Sequence, residues 1–135
     1  MTSFDPASFK GDWLGQTLGI ELVEAKPERV VLTMPVTPAH HQPFGYLHGG
    51  ASVALAETVA SVGGALNVPP GKVAFGLEIN ANHVRSRRDG LLRAIGTPLH
   101  IGQTTQIWEI RIVDDEDKLV CISRCTLAVI SPQGS

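Results

Sequence analysis

Hydrophobic and polar residues alternate along six segments of the chain, which is the pattern of strands with one face in a core. Between residues 73 and 79, for example, every second residue is large and apolar. The pattern predicts strands at residues 20–24, 29–36, 72–84, 91–99, 103–113 and 119–130. Turns are predicted between them at residues 26–28, 88–90, 100–102 and 114–117. We therefore expect the last four strands to form a meander, with a hairpin turn at Arg88-Asp89-Gly90.

Two segments carry helical patterns. The first begins at Asp5-Pro6 and should end between Gly15 and Gly19. The second, residues 49–66, is rich in alanine and valine and has almost no polar face. A helix of that kind should be buried nearly all round, and the sequence NVPPG that follows it should end it.

The order of these elements is a helix, two strands, the apolar helix and four strands. That order predicts an α+β domain in which one antiparallel sheet wraps around the apolar helix. A chain of 135 residues is most simply one such domain, spanning residues 1–135. Because the strands carry β-branched residues on both faces, the second face of the sheet also needs a cover, which self-association would supply.

Composition and charge exclude several classes of protein. The net charge of −2 gives no basic excess for general nucleic-acid binding. No apolar run reaches transmembrane length without a polar or glycine interruption, and residues 1–5 lack the features of a signal peptide, so we expect a cytoplasmic protein with no membrane partner. Cys121 and Cys125 are separated by roughly 13 Å of predicted strand, too far for a disulfide. They match no zinc pattern, so we expect buried thiols and no metal.

One carboxylate stands alone in the middle of the chain. From Val30 to Gly71 the only formally charged side chain is Glu57, which lies midway along the predicted apolar helix. Burying an isolated carboxylate is costly, so a functional role explains Glu57 better than a structural one. In apolar surroundings its carboxylate is suited to act as a nucleophile or as a base on water.

The residues around Glu57 include the other groups that a hydrolase needs. Gly49 opens the helix, where free N–H groups and the positive end of the helix dipole can hold a developing oxyanion. Ser61 lies one turn beyond Glu57 and can orient a water molecule, or simply allow close helix packing. Gln42 and His48 can orient a carbonyl or assist a leaving group, although His48 taken alone would be expected to cap the helix.

The spacing of Gly49 and Glu57 limits how they can cooperate. Their separation corresponds to roughly 12 Å along a helix, farther than a glutamate side chain easily covers. Two antiparallel copies of the helix, related by a two-fold axis, could instead place Gly49 of one chain against Glu57 of the other. The spacing therefore favours an active site shared by two chains.

The sequence QPFGYLHGGASVALAE, residues 42–57, resembles the signature of the hot-dog-fold acyl-CoA thioesterases. It is most similar to the branch that contains 4-hydroxybenzoyl-CoA and 1,4-dihydroxy-2-naphthoyl-CoA thioesterases. The likeness continues through GLEINANHVRSRRDG and PLHIGQTTQIWEIRIVDDEDKLVCISRCTLAVI, so it covers most of the chain. It implies a hot-dog fold, hydrolysis of aromatic acyl-CoA thioesters, a place in menaquinone biosynthesis, a homodimer or homotetramer, and no cofactor.

The resemblance also implies roles for individual residues. Glu57 corresponds to the catalytic carboxylate, and Gly49 to the backbone donor of the oxyanion hole. Gln42 and His48 correspond to residues that contact the thioester. Ser61 corresponds to a hydroxyl that helps to orient water.

A basic run after the third predicted strand is the expected coenzyme A site. The resemblance places His83, Arg85 and Ser86 where the family contacts coenzyme A. Because the guanidinium group suits phosphate, we expect Arg85 to contact a phosphate and Arg88 to be solvated. The alternative is a charged hairpin end at the edge of the sheet.

Three other functions fit part of the pattern. A hot-dog hydratase or dehydratase also uses acid and base groups on a helix, and release of free thiol would distinguish hydrolysis from its reaction. A proofreading thioesterase would take its acyl group from a carrier protein. A non-catalytic acyl-CoA-binding domain would bind without turnover, but the complete set of Gln42, His48, Gly49 and Glu57 argues against it.

Overall fold

In the part of the chain that the structure describes, residues 4–132, six antiparallel strands form one sheet. In this computed structural model the strands are β1 (Glu21–Lys26), β2 (Arg29–Pro35), β3 (Val73–His83), β4 (Leu91–Ile101), β5 (Thr105–Val113) and β6 (Leu119–Ile130). The helices are α1 (Leu14–Leu18) and α2 (Gly49–Leu66), with 3₁₀ turns at Pro6–Phe9 and Pro38–His40. The predicted α+β architecture, its six strands and its long helix are therefore confirmed.

The N-terminal helix is shorter than predicted. Instead of one helix from Asp5, the chain forms the turn Pro6–Phe9 and then, separately, α1. Gly11 lies between them with φ of 102°, a value that breaks a helix and that residues with a Cβ rarely adopt. The prediction of a single helix beginning at Asp5 was wrong for this reason.

The strands lie in the order β1-β2-β4-β5-β6-β3, so β3 is an edge strand. It pairs with β6, with Ile79 opposite Cys125, and not with β4. The predicted meander is correct for β4, β5 and β6, but the hairpin at Arg88-Asp89-Gly90 was wrong. Residues 84–90 instead cross the ends of β6 and β5. Alternation shows which face a strand buries, but not which strand lies beside it, and this limit explains the error.

Charged groups fix this crossover to the turn between β5 and β6. Arg87 Nη1 donates to Asp114 Oδ2 at 3.1 Å, and Arg87 Nη2 donates to Asp115 Oδ1 at 3.3 Å. Asp114 is buried, and its Oδ1 also accepts the backbone N–H groups of Glu116 and Lys118, both at 2.9 Å. The Lys118 N–H is the main reason that the pKa of Asp114 lies below its usual value; burial opposes the shift, while Glu116 N–H and Arg87 reinforce it.

The helix α2 packs on one face of the sheet and contacts all six strands. Gly63 allows α2 to lie close to β5, because a Cβ at residue 63 would overlap the ring of Trp108 on that strand. Trp108 is fully buried and donates Nε1–H to Gln106 Oε1 at 2.9 Å, and Gln106 Nε2 donates to Gly64 O at 3.4 Å. The polar groups of this central core contact are thus paired, as buried polar groups generally are.

The other side of α2 is only half-buried within one chain. Ser61 lies on that side, and Glu57 is also half-buried where α2 meets the edge strand β3, whereas Leu55 and Val59 are fully buried. The prediction of burial nearly all round was therefore wrong for a single chain. By length and composition α2 could also cross a membrane, although Ser52, Glu57 and Gly63 interrupt its apolar run. Its contacts with the whole sheet are those of a core helix.

Candidate active site

The loop before α2 folds around the side chain of Gln42. Gln42 Oε1 accepts the backbone N–H of Phe44 at 2.6 Å and that of Tyr46 at 3.4 Å. Because both contacts need an acceptor, they fix the orientation of the side-chain amide. Its Nε2 donor has no partner among residues 4–132. Gln42 therefore has N–H donors available for a ligand.

The first turn of α2 leaves one backbone donor uncommitted. His48 caps the helix: its Nδ1 accepts the N–H of Gly50 at 2.8 Å, and its carbonyl accepts the N–H of Ala51 at 3.0 Å. Within the described residues, the N–H of Gly49 has no acceptor. An uncommitted N–H at the positive end of a helix is suited to a carbonyl oxygen that gains negative charge. The capping role considered for His48 is thus present, and it leaves His48 only Nε2 for a substrate.

These donors face a cavity of about 390 Å³. The lining residues are Gln42, Leu47, Gly49, Ser52, His83, Val84, Arg85, Ser86 and Val120. Gly49 lies close to β3, because a Cβ there would be 2.8 Å from His83 Nε2. Arg85 and Ser86 are exposed, whereas Ser52 is fully buried. The structure therefore brings together Gln42 and Gly49 from the predicted thioester site and all three residues of the predicted coenzyme A site.

Glu57 lies outside this cavity, against β3. Its carboxylate occupies the space that a side chain on Gly76 would need, and no residue between 4 and 132 donates a hydrogen bond to it. Cys125 lies nearby: burial, reinforced by the charges of Glu57 and Glu78, raises the pKa of its thiol to about 12. Within one chain, Glu57 is not placed beside the Gly49 donor.

Ser61 and His48 line two further cavities. Ser61 borders a space of about 210 Å³ that is also lined by aromatic residues of the N-terminal segment, namely Phe4, Phe9 and Trp13. His48 borders a space of about 240 Å³ together with His40 and His41. A single chain thus divides the predicted catalytic residues among separate places on the molecule.

The crossover and the Gln42 loop, which form two walls of the 390 Å³ cavity, are joined to each other. Leu47 N–H donates to Arg87 O at 2.8 Å, and His41 Nε2 lies 2.8 Å from Arg88 O. The guanidinium carbon of Arg88 is 4.7 Å from the centre of the Tyr46 ring, a cation–π distance. Arg88 is exposed, as predicted, but it also holds the loop.

Two residues of the site were not found from the sequence. Ser52 lines the cavity with a fully buried hydroxyl, and Gly76 leaves room for the Glu57 carboxylate. A glycine inside a predicted strand often marks a bulge or a close approach, and β3 does shift register between Gly76 and Glu78. That signal could have identified Gly76, whereas a serine in an apolar helix gives no such signal.

Comparison with known proteins identifies the family. Residues 44–121 match the Thioesterase superfamily. The chain belongs to this superfamily. It is 53% identical over 116 residues to a 1,4-dihydroxy-2-naphthoyl-CoA hydrolase of Listeria monocytogenes, a match that covers 86% of this chain and 94% of that protein. A protein of the same name from Escherichia coli is 52% identical over 98 residues, which are 73% of this chain and 72% of the relative.

The same assignment follows from solved structures. A thioesterase of Haemophilus influenzae, HI1161, superposes on this thioesterase with a TM-score of 0.90 at 42% identity, covering 98% of this chain and 94% of the other. The hot-dog fold that the resemblance implied is thus confirmed, with its antiparallel six-stranded sheet and one long helix. The protein is a thioester hydrolase.

Proposed function

We propose that this thioesterase hydrolyses acyl-CoA thioesters with aromatic acyl groups, such as 1,4-dihydroxy-2-naphthoyl-CoA or a hydroxybenzoyl-CoA, to the free acid and coenzyme A. The observation that carries the proposal is the cavity that holds the uncommitted donors of Gly49 and Gln42 together with the exposed Arg85 and Ser86. Thioester carbonyls need such donors, and coenzyme A phosphates suit such a basic site. The names of the two relatives above favour an aromatic acyl group.

The proposed reaction begins with the thioester carbonyl oxygen on Gly49 N–H, with Gln42 Nε2 as a second donor. Glu57 either takes a proton from a water molecule as its oxygen attacks the carbonyl carbon, or attacks that carbon itself to give an anhydride that water then hydrolyses. In both routes the carbon–sulfur bond breaks when the tetrahedral intermediate collapses. The thiolate of coenzyme A leaves and takes up a proton.

The proposal includes a second copy of the chain as a partner in the site. β3 is an edge strand, and Phe75 and Leu77 on it are 59% and 64% exposed. An open edge with exposed apolar side chains is a template for pairing with another strand. Glu57 and Ser61 on α2 are also only half-buried in a single chain. A homodimer, alone or as half of a tetramer, would cover both.

The contacts of β3 support a particular arrangement of the two chains. In each chain Gly49 lies against His83, and Glu57 lies against Gly76. Antiparallel pairing of β3 with β3 of a second copy, centred near Ile79, would set His83 of one chain beside the Phe75-Gly76 segment of the other. The same pairing would move Gly49 of one chain toward Glu57 of the other. This arrangement would complete the site.

The proposal also places the protein in the cytoplasm, where coenzyme A thioesters are made. Cys121 and Cys125 are free and buried, as predicted, which supports a reducing compartment. A naphthoyl substrate would place the reaction in menaquinone biosynthesis.

The experiment is a screen of aryl and aliphatic acyl-CoA thioesters, with thiol release followed by a thiol-reactive dye. Burial keeps the pKa of both protein thiols raised, so they should not react in the folded protein. We expect turnover of aryl-CoA substrates, and a loss of about 10²–10⁴-fold in Glu57→Ala with an unchanged melting temperature. Near-normal turnover in that variant would refute the role of Glu57. Exclusive turnover of carrier-protein thioesters would refute the coenzyme A substrate.

A further inference from the structure

Ser52 carries a buried hydroxyl that forms no hydrogen bond within the described chain. Its exposed fraction is 0%, and Ser52 Oγ has no hydrogen-bond partner among residues 4–132. Ser52 lies three residues after Gly49, so both residues lie on the same side of α2 and both line the 390 Å³ cavity. An unpaired polar group that is excluded from water is rare in folded proteins and calls for an explanation.

Neighbouring hydroxyls show that Ser52 is unusual. Thr58 on the same helix donates from Oγ1 to Ala54 O at 2.7 Å, the usual bond of a helical hydroxyl to the preceding turn. Ser123 on β6, which is also buried, donates to Asn80 O at 2.8 Å. The equivalent acceptor for Ser52 is His48 O, which accepts the N–H groups of Ala51 and Ser52 instead. The Ser52 hydroxyl therefore keeps an unpaired donor at the wall of the cavity.

We infer that Ser52 Oγ–H donates a hydrogen bond to the thioester group of the bound substrate, as a third donor beside Gly49 N–H and Gln42 Nε2. The inference rests on the proposed function and extends it. Arg85 and Ser86 are exposed, so the polar nucleotide end of coenzyme A belongs with them. Ser52 is the fully buried polar group of the cavity and lies one helical turn from Gly49, so it belongs with the thioester end. A buried donor aimed at developing charge is worth more than the same donor in water.

Removing this hydroxyl should affect activity and stability in opposite ways. Ser52→Ala deletes a group that has no partner in the free protein, so the melting temperature should stay the same or rise. The kcat/KM should fall on the order of 100-fold, mainly through kcat, if the hydroxyl contacts the group that reacts. If Ser52 were merely structural, Ser52→Ala would lower the melting temperature and leave kcat/KM unchanged.

The experiment compares Ser52→Ala with Ser123→Ala, a matched buried serine outside the cavity. Each is assayed with benzoyl-CoA and with the benzoyl thioester of N-acetylcysteamine, which lacks the nucleotide. For Ser52→Ala we expect the same fold-loss on both substrates with no loss of melting temperature. For Ser123→Ala we expect a lower melting temperature and unchanged kcat/KM, because Asn80 O loses its donor.

Three results would overturn the inference. These are unchanged kcat/KM in Ser52→Ala, a loss that appears only with the coenzyme A thioester, and a loss that matches the fraction of unfolded protein. Should Ser52→Ala fail to fold, Ser52→Cys keeps the volume of the side chain and replaces the strong donor by a weak one, and the same criteria apply. A wild-type protein that cleaves only the truncated thioester would refute the coenzyme A proposal, while Ser52 would still be tested on that substrate.

Discussion

At the scale of single residues, the position of Glu57 depends on residue 76 being a glycine, which has no side chain. Gly76 leaves the space on β3 that the Glu57 carboxylate fills. Glu57 could be proposed as a catalytic residue from the sequence because it is the one charge in an otherwise neutral stretch. Gly76 and Ser52 could not, because the contact of Gly76 with Glu57 and the burial of Ser52 depend on how distant parts of the chain pack.

Gly76→Ala should move the Glu57 carboxylate without removing it, so it tests the position of that group apart from its presence. A methyl group at residue 76 must displace the carboxylate, and small displacements of a catalytic group cost on the order of 100-fold in rate. Alanine is also the better residue in a strand, by about 0.5–1 kcal/mol, so the protein should unfold at the same or a higher temperature. Steady-state kinetics and thermal unfolding test this together. A variant with wild-type kcat would show that Gly76 does not set the position of Glu57.

At the scale of elements, hydropathy alone predicted α2 and all six strands but not the neighbours of β3. The pairing of β3 with β6 depends on a crossover that Arg87 and Asp114 fix to the β5–β6 turn. Sequence identifies both residues as charged but gives no sign that Asp114 is buried beneath the crossover. The same crossover carries Arg85 and Ser86, so its anchoring also places the predicted coenzyme A contacts.

The anchoring by Asp114 should make part of the stability dependent on pH. The pKa of Asp114 is lowered from 3.8 in the folded protein, chiefly by the Lys118 N–H. As pH falls, Asp114 therefore takes up its proton at a higher pH in the unfolded chain than in the folded protein. The stabilisation from its charged form is complete well above pH 3.8 and is lost as pH falls through the lower, folded-state pKa. Wild-type protein should exceed Asp114→Asn in free energy of unfolding at pH 7, by a margin that is constant down to about pH 5 and shrinks below pH 4. A margin that does not change with pH, measured by denaturant unfolding, would contradict this.

At the scale of the whole molecule, one chain holds the predicted catalytic residues in separate places. Gly49 lines one cavity, Ser61 borders another, and Glu57 lies against β3. The helix rise between Gly49 and Glu57 already indicated this separation from the sequence. The sequence could not predict that β3 is an edge strand, because strand order follows from packing of the whole sheet. It is along this edge that we propose a second copy completes the site.

The most direct test uses mixed dimers of Gly49→Pro and Glu57→Ala chains, isolated through two different affinity tags. Proline suits the first position of a helix and lacks the N–H, and His48 has the extended backbone that proline requires before it. Its Cβ would also displace the His83 ring, which lines the same cavity as Gly49, so the damage stays within one site. Each variant alone should be inactive. A shared site predicts about half of wild-type activity in the mixed dimer, because one of its two sites retains both the Gly49 N–H and Glu57. Activity no higher than that of the parent variants would contradict the account.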